Sequence, residues 1–580
     1  MVLTEARWPG RLAAVGCAVF LALLVMMAHP FAELGVVDDW SYAYSANVLA
    51  ETGHVVYNGW GAMPLTWVLY WGALFIRLFG FSFFALRCSM LLVSMATVFV
   101  VHRTLHRSGI SEKNSTVATL AILLSPPFFS VCFLYMSDIP GMLALVLCLY
   151  GVLRVLETGK EASATNWLVF AAISNTVLGS TRQIALLGVL LMVPAAAWRL
   201  RRSVRFRVFL PVWLLCIVGV LGLLHWFAVQ PYTVREGLFP ATRVWRRLGL
   251  LVRVPVAWMF HLAPLMVLFL FSLRWRDRRL RIGAGIFAAA LVGFYFLLIW
   301  MADHGQYVLI LPYLRDTFTP RGFHDLAAPM GEEPVLLGLS LRVALSCLTL
   351  LLLTGAAVYL LFPGLRAAGV PPVRERIRRG QLRWILLPFF LAYSLLFATR
   401  TIPFDRYLMP LTLLAGIAVL RFLERNSGWR NAFIGVVAMV VLLGWMDVSL
   451  LHDEFSLYRA RVQAADQLVR AGIPRDHIYG GFEYDGWTEI EKTGYIKDPR
   501  LKLKPGEQAF DPTLEWVGFP GPFYTRGYMP SIIPDYVITH SLYPTLERSS
   551  FPDVTYRTWT TPGTWPLMVA RMKQPRKKQP

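Results

Sequence analysis

Two adjacent carboxylates, Asp38 and Asp39, open the stretch Asp-Asp-Trp-Ser-Tyr-Ala that follows the first apolar run of the chain. Charges at or near membrane depth are costly and rare, and function is the first hypothesis for them. A carboxylate placed there can take a proton from a hydroxyl as a general base. The plainer reading is a helix N-cap, a position that Asp favours. The two are compatible, with Asp38 presented by a helix that Asp39 helps to start. Further candidates are Asp138 before Ile139-Pro140-Gly141, the pair Arg182-Gln183, and the turn Asp405-Arg406-Tyr407. Departure of an anionic group needs cations or a metal where charge develops. The set therefore suits group transfer at a membrane surface, from a lipid-borne donor with an anionic leaving group. Each member has a structural alternative: Asp138 as a loop or cap residue, Arg182 as a snorkelling side chain, and Arg406 as the partner of Asp405. His29, His54, His225, His261 and His304 lie near span boundaries without the HExxH spacing of a zinc site and read as interface residues, His54 being the best candidate for more.

The elements that must position these residues are membrane spans. Apolar residues make up 56% of the 580 residues and the mean hydropathy is +0.53, above the roughly 45–50% apolar content of soluble domains. The 20 Trp and 37 Phe suit an interfacial belt. A net charge of +21 suggests nucleic acid at first sight. Its placement in short Arg runs between apolar segments is instead what the positive-inside rule produces, so no nucleic-acid partner is expected. The six cysteines all lie in apolar segments without metal-ligand spacing, which predicts buried thiols and no disulfide framework. No cleavable signal peptide is expected.

The pattern predicts about thirteen transmembrane helices of roughly 17–25 residues, at about 12–28, 84–101, 117–134, 141–156, 167–178, 184–198, 208–229, 254–273, 282–301, 335–361, 384–399, 408–423 and 432–450. The first outer loop, 29–83, is expected to carry two helices besides the Asp pair, one along the surface at 40–51 and a second, surface or half-inserted, from Met63 to Phe79. Arg-rich turns place the N-terminus in the cytoplasm and the acidic candidates outside. One loop breaks that rule: 232–253 should be outside, yet it holds Arg235, Arg243, Arg246, Arg247 and Arg253. It reads as an anion site or as adhesion to anionic lipid. Thus 1–450 is a transmembrane domain. Residues 451–570 read as a small extracytoplasmic α/β domain, with an amphipathic helix at 457–470 and short strands around Ile478, Val537 and Val569, and 571–580 as a basic tail.

On four stretches the sequence resembles the GT-C membrane glycosyltransferases, the group with protein O-mannosyltransferases, the aminoarabinose transferases that modify lipid A, and RgtA/B/C/D-like bacterial enzymes. Asp38-Asp39-Trp40-Ser41-Tyr42-Ala43 is similar to the family's first-loop Asp-Glu-x-x-Tyr-Ala pattern. Pro64-Leu65, then Leu78-Phe79-Gly80 and Leu86-Arg87, are similar to its Pro-Pro-Leu … Leu-Phe-Gly … Arg segment. Met136-Ser137-Asp138-Ile139-Pro140 is similar to its second acidic motif, and Asp405-Arg406-Tyr407-Leu408-Met409-Pro410 to its late Arg-Tyr-x-x-Pro motif. The resemblance implies that Asp38 is the catalytic base. It implies that Asp39 is the next acidic position and that Asp138 helps bind the acceptor, the donor phosphate or a metal. Together with the candidates read from the residues themselves, the expected contacts to acceptor or donor are Asp39, Tyr42, His54, Asp138, Arg182, Gln183, Arg246, Asp405, Arg406 and Tyr407. Asp38 and Asp138 would be the ligands if a divalent metal took part. Two departures stand out: Asp39 replaces the family's Glu, and Ala62-Met63 stands where Lys-Pro is common, which removes a cation for the donor phosphate. Arg182, Arg246 and Arg406 are the candidates to replace it.

The expected activity is inverting transfer of a sugar from a polyprenyl-phosphate carrier to an acceptor hydroxyl of a lipid, glycan or protein at the outer face of the plasma (inner) membrane. The competing classes are a lipid-linked sugar flippase or polysaccharide exporter, and a scaffold for the C-terminal domain. No inverted repeat of the transporter kind is visible.

Overall fold

The computed structural model describes residues 9–158, 160–234, 254–255, 257–271, 278–303, 318–324, 331, 333–361, 373–398, 404–423, 429–496, 528–544 and 546–573. Among them, eight helices are long and apolar enough to cross a membrane. The first half runs α1 (Pro9–Met27), α2 (Asp39–Thr52), α3 (Thr66–Phe79), α4 (Phe83–Arg107), α5 (Glu112–Leu123), α6 (Pro126–Phe129), α7 (Asp138–Glu157), α8 (Glu161–Gly179), α9 (Val193–Arg199) and α10 (Phe206–Val229). The second half adds α11 (Ala263–Phe271), α12 (Arg278–Asp303), α13 (Leu339–Leu361), α14 (Val373–Ala398), α15 (Met409–Leu423), α16 (Trp429–Arg470) and α17 (Phe482–Thr493).

The two loop helices expected before the second span are present as α2 and α3. Gly53, at φ +76, ends α2 in the left-handed conformation that glycine adopts without strain. Helix α2 does not lie along a surface, however. Trp40, Tyr42, Ala43, Ala46 and Leu49 are buried, because α3 packs on one side and α17 on the other.

Three expected spans differ in the structure. The run at 117–134 is broken into α5 and α6, because Pro126 and Pro127 lack the N–H that a helix needs and disfavour helical backbone before them. Side chains satisfy part of the interrupted backbone, as where Ser94 Oγ donates to the Cys132 carbonyl at 2.6 Å. The run at 184–198 starts as a 3-10 turn (Gln183–Leu186), widens to a π turn (Gly188–Met192) and only then becomes α9. Asn175 causes this: its Oδ1 accepts from the Val189 N–H at 2.7 Å and its Nδ2 donates to the Ala185 carbonyl at 3.0 Å, inserting into the helix ladder. Gly188 allows the approach, since a Cβ there would sit 2.6 Å from the Asn175 amide. Third, the expected span at 432–450 and amphipathic helix at 457–470 are one continuous helix, α16, of 42 residues. The boundary drawn at 450 therefore falls inside a helix.

Beyond α16 lies a five-stranded sheet of β1 (Ile478–Tyr479), β2 (Tyr536–Thr539), β3 (Leu546–Arg548), β4 (Val554–Thr558) and β5 (Gly563–Met572). The order is β1-β2-β5-β3 with β4 also on β5; β1 and β2 are parallel and the other pairs antiparallel. Strand β5 takes in Arg571 and Met572, the first residues of the expected tail; 574–580 lie outside the described residues. The sheet is tied to α16 by Asp453, whose two oxygens accept from the Trp559 and Thr560 N–H groups at 2.6 and 2.9 Å.

Candidate active site

The chain reaches the site through a turn wrapped around Arg87. Its guanidinium donates to Ala32 O at 2.8 Å, Leu34 O at 2.6 Å and Asp39 Oδ2 at 2.9 Å, and Asp39 Oδ1 accepts from the Val36 N–H at 2.6 Å. Both Arg87 and Asp39 are fully buried. Asp39 is thus sequestered as a structural ion pair, away from the position the resemblance implied. Successive residues around a helix start diverge in direction, so fixing Asp39 inward leaves Asp38 facing the other way, with 20% of its side chain exposed. Trp60 Nε1 donates to Asp38 Oδ1 at 2.8 Å. The indole is itself held by Trp40, Phe482 and Tyr528, at ring-centroid distances of 5.8, 5.1 and 6.0 Å.

Asp138 opens α7 and is 4% exposed. It forms an ion pair with Arg182, which comes from the turn after α8 and lies 4.4 Å from the centre of the Tyr407 ring. Arg406 comes from a 3-10 turn (Asp405–Leu408) leading into α15. Its Nη2 is 3.6 Å from Asp38 Oδ2 and its Nε 3.7 Å from Asp138 Oδ1, so it bridges the two carboxylates. Asp405 does not pair with Arg406; its Oδ1 faces His261 Nε2 at 3.0 Å, both side chains being buried. His261, expected at an interface, is therefore a core residue. Tyr42 lies among Asp38, Asp138, Arg182 and Arg406. Burial and then the two carboxylates push its phenol well above 10, keeping it protonated.

The departure from Lys-Pro is filled by Met63, whose sulfur takes the Ser137 hydroxyl at 2.8 Å and the Tyr42 hydroxyl at 4.0 Å. Gln183 Nε2 donates to the Ala62 carbonyl at 3.0 Å, tying this loop to the Arg182 turn. Beside the charges opens a pocket of about 280 Å3. Asp138, Arg182, Arg406, Tyr393 and Tyr407 form its polar wall, and Met142, Leu145, Ile184, Ala185, Met409 and Pro410 continue it as an apolar one. His54 is exposed past the end of α2, where its backbone N–H donates to Thr52 Oγ1 at 3.2 Å. Arg246 and the rest of the Arg-rich loop at 235–253 lie outside the described residues.

Among the described residues no three His, Cys, Asp or Glu side chains are grouped as a metal site requires. Asp38 and Asp138 share the Arg406 guanidinium, which already supplies positive charge between them. That donor set does not fit a divalent cation.

No protein-family model matches the chain, and no curated protein matches it. Solved structures do. One is ArnT from Cupriavidus metallidurans bound to undecaprenyl phosphate, at 15% identity and a TM-score of 0.43, covering 96% of this chain and 97% of that one. Another is the archaeal oligosaccharyltransferase AglB from Archaeoglobus fulgidus, in complex with an inhibitory peptide and a dolichol-phosphate, at 13% identity and a TM-score of 0.37, covering 80% and 58%. A third is the S. cerevisiae protein O-mannosyltransferase Pmt1-Pmt2 complex bound to the sugar donor, at 16% identity and a TM-score of 0.32. There the likeness takes in 41% of this chain and only 36% of that one. These are proteins of the group that the sequence motifs resemble. At identities and TM-scores this low the likeness decides no chemistry, which is argued below from the site alone.

Proposed function

We propose that the protein is an integral-membrane, inverting glycosyltransferase that moves a sugar from a polyprenyl-phosphate carrier to an acceptor hydroxyl. One observation carries this reading. Asp38, Asp138, Arg182 and Arg406, from four separate parts of the chain, are joined by ion pairs, and the last three line a pocket that continues along apolar side chains. A lipid phosphate has this double character, an anion on a hydrocarbon tail. Arg182 and Arg406 bind the phosphate; guanidinium forks match its oxygens and sit where charge develops on the leaving group.

In the step itself, Asp38 accepts the proton of the acceptor hydroxyl while that oxygen bonds to the anomeric carbon. The bond from that carbon to the phosphate oxygen breaks, and its electron pair leaves on the lipid phosphate. A single displacement with one base inverts the anomeric centre, whereas the two-carboxylate retaining route needs a nucleophile in place of that base. Asp138 is a positioning residue in this scheme, holding both guanidinium groups. The reading places the Asp38 end of the bundle and the sheet at the outer face of the plasma (inner) membrane, the N-terminus in the cytoplasm, and about thirteen crossings in the full chain. Arg-rich turns on the opposite side support that orientation.

The test is transfer from radiolabelled undecaprenyl-phosphate sugars to a membrane extract, comparing the wild type with Asp38→Asn. Transfer that is lost in the variant is expected. Equal transfer in both overturns Asp38 as the base.

A further inference from the structure

A second and larger pocket lies between α16, residues 321–324 and 333–336 and strand β4, a space of about 490 Å3, part of it open to solvent. Its wall is richer in carboxylates than that of the arginine pocket. Glu333, Asp453 and Glu454 line it beside one guanidinium, Arg321, and Asp453 accepts from the backbone N–H groups of Trp559 and Thr560. Glu454 is 93% removed from solvent by its 7% exposure. Its Oε1 faces His324 Nδ1 at 3.0 Å, while its Oε2 is buried with no hydrogen-bond partner among the described residues. A buried carboxylate oxygen left without a donor is costly, and a donor brought by a ligand would relieve that cost. The aromatic residues Phe323, Tyr458 and Tyr556 line the pocket as well, with Leu336, Leu450 and Leu457. His324 lies within electrostatic reach of Asp138, so the pocket adjoins the carboxylate and arginine cluster.

We infer that this pocket binds an uncharged saccharide of the acceptor, with Glu454 Oε2 accepting from a sugar hydroxyl and the aromatic rings facing the sugar. The inference rests on the transferase reading and names its acceptor class. The three carboxylates on the wall outnumber its one guanidinium, Arg321, and disfavour a phosphorylated or otherwise anionic acceptor, while the lipid phosphate goes to Arg182 and Arg406.

The experiment uses the full chain in nanodiscs and saturation-transfer NMR with three probes: methyl hexopyranosides, a hexose 6-phosphate and a hexosamine. The methyl hexopyranosides are expected to bind, with Kd raised about tenfold in Glu454→Gln, as loss of a bond to a charged group implies. The 6-phosphate is expected not to bind. Three results each overturn the inference: no methyl hexopyranoside binding, binding of the hexosamine or 6-phosphate alone, or equal hexoside binding in the variant. Undecaprenyl phosphate binding, measured in the same samples, reports the fold of Glu454→Gln, where it is expected to persist. Its absence from the wild type, with hexosides still bound, would remove the transferase reading and leave the saccharide site standing.

Discussion

Trp60 donates its indole N–H to Asp38 Oδ1 at 2.8 Å, and the same indole packs on Phe482 of α17, from the part of the chain beyond α16. The candidate base is therefore oriented from two distant regions at once. Trp60→Phe keeps a ring against Phe482 and removes only the donor. It is expected to lower kcat/KM about tenfold, from the loss of one hydrogen bond to a charged group, with little change in Tm. Trp60→Ala should lower both, as steady-state kinetics and thermal unfolding in detergent would show.

The two neighbouring aspartates are expected to fail in different ways. Asp38→Asn should cut transfer by at least ~100-fold, the lower end of a general base's contribution, and leave Tm near the wild-type value. Asp39→Asn strands the buried Arg87 without its charge partner, and breaking a buried pair costs about 3–5 kcal/mol. Its expected signature is a lower Tm and yield. A high-yield, stable Asp39→Asn protein would contradict the structural role assigned to the Arg87 pair.

Arg182→Gln and Arg406→Gln should each weaken binding of undecaprenyl phosphate roughly 10- to 100-fold, the range for a bond to a charged group. Because both arginines face Asp138, their effects are expected to be non-additive. A double-mutant cycle on the lipid-phosphate Kd checks this.

The fold's helical elements were largely legible in the sequence, and their interruptions less so. Long apolar runs gave α1, α4, α7, α10, α12 and α13 close to their observed ends, because burial in lipid and helical pairing act on the same residues. The broken helices at Pro126 and Asn175 depend on side chains inserting into a neighbour's backbone. Pro126-Pro127 was visible as a signal, but nothing near Asn175 was. The site divides similarly. Asp38, Asp138, Arg182 and Arg406 were legible as charges at span ends. Which of them meet was not, since that needs the packing of α7, α8 and α15. Trp60, His261, His324 and Glu454 carried no local signature: a Gly-Trp-Gly turn, two isolated histidines and a glutamate in an amphipathic run look alike whether or not they reach a site.

Gly486 on α17 faces the Trp40 ring, where a Cβ would come within 2.9 Å of its Cη2. Gly486→Leu is expected to displace α17 from α2, which carries Trp40, and so loosen the Trp60 contact as well. Transfer should fall with Tm. A chain cut after α16 is expected to be inactive for the same reason, although every proposed binding and catalytic side chain around Asp38 would remain.

Stability should also respond to pH through Asp485. It is fully buried on α17 with one oxygen accepting from the Gly480 N–H at 3.0 Å, and burial pushes its carboxyl well above the usual aspartate range. The folded state then holds a proton that the unfolded chain releases above pH ~4. Stability from this group is accordingly present at low pH and lost as pH rises through the folded-state value. Tm should fall between acidic and alkaline buffer, and Asp485→Asn should flatten the decline.

Helix α16 has 42 residues, about 63 Å at ~1.5 Å per residue, twice the ~30 Å of hydrocarbon that a bilayer offers. Its C-terminal half, packed on the sheet, holds Asp453 and Glu454 in one unbroken rod with the apolar N-terminal half. A rod of this kind leans when the bilayer thins or thickens, and the lean is carried to its far end at full length. Lipid chain length thus becomes a mechanical input to the pocket at Glu454, so that acyl chains of different length are expected to tune the proposed acceptor affinity without any change in the protein.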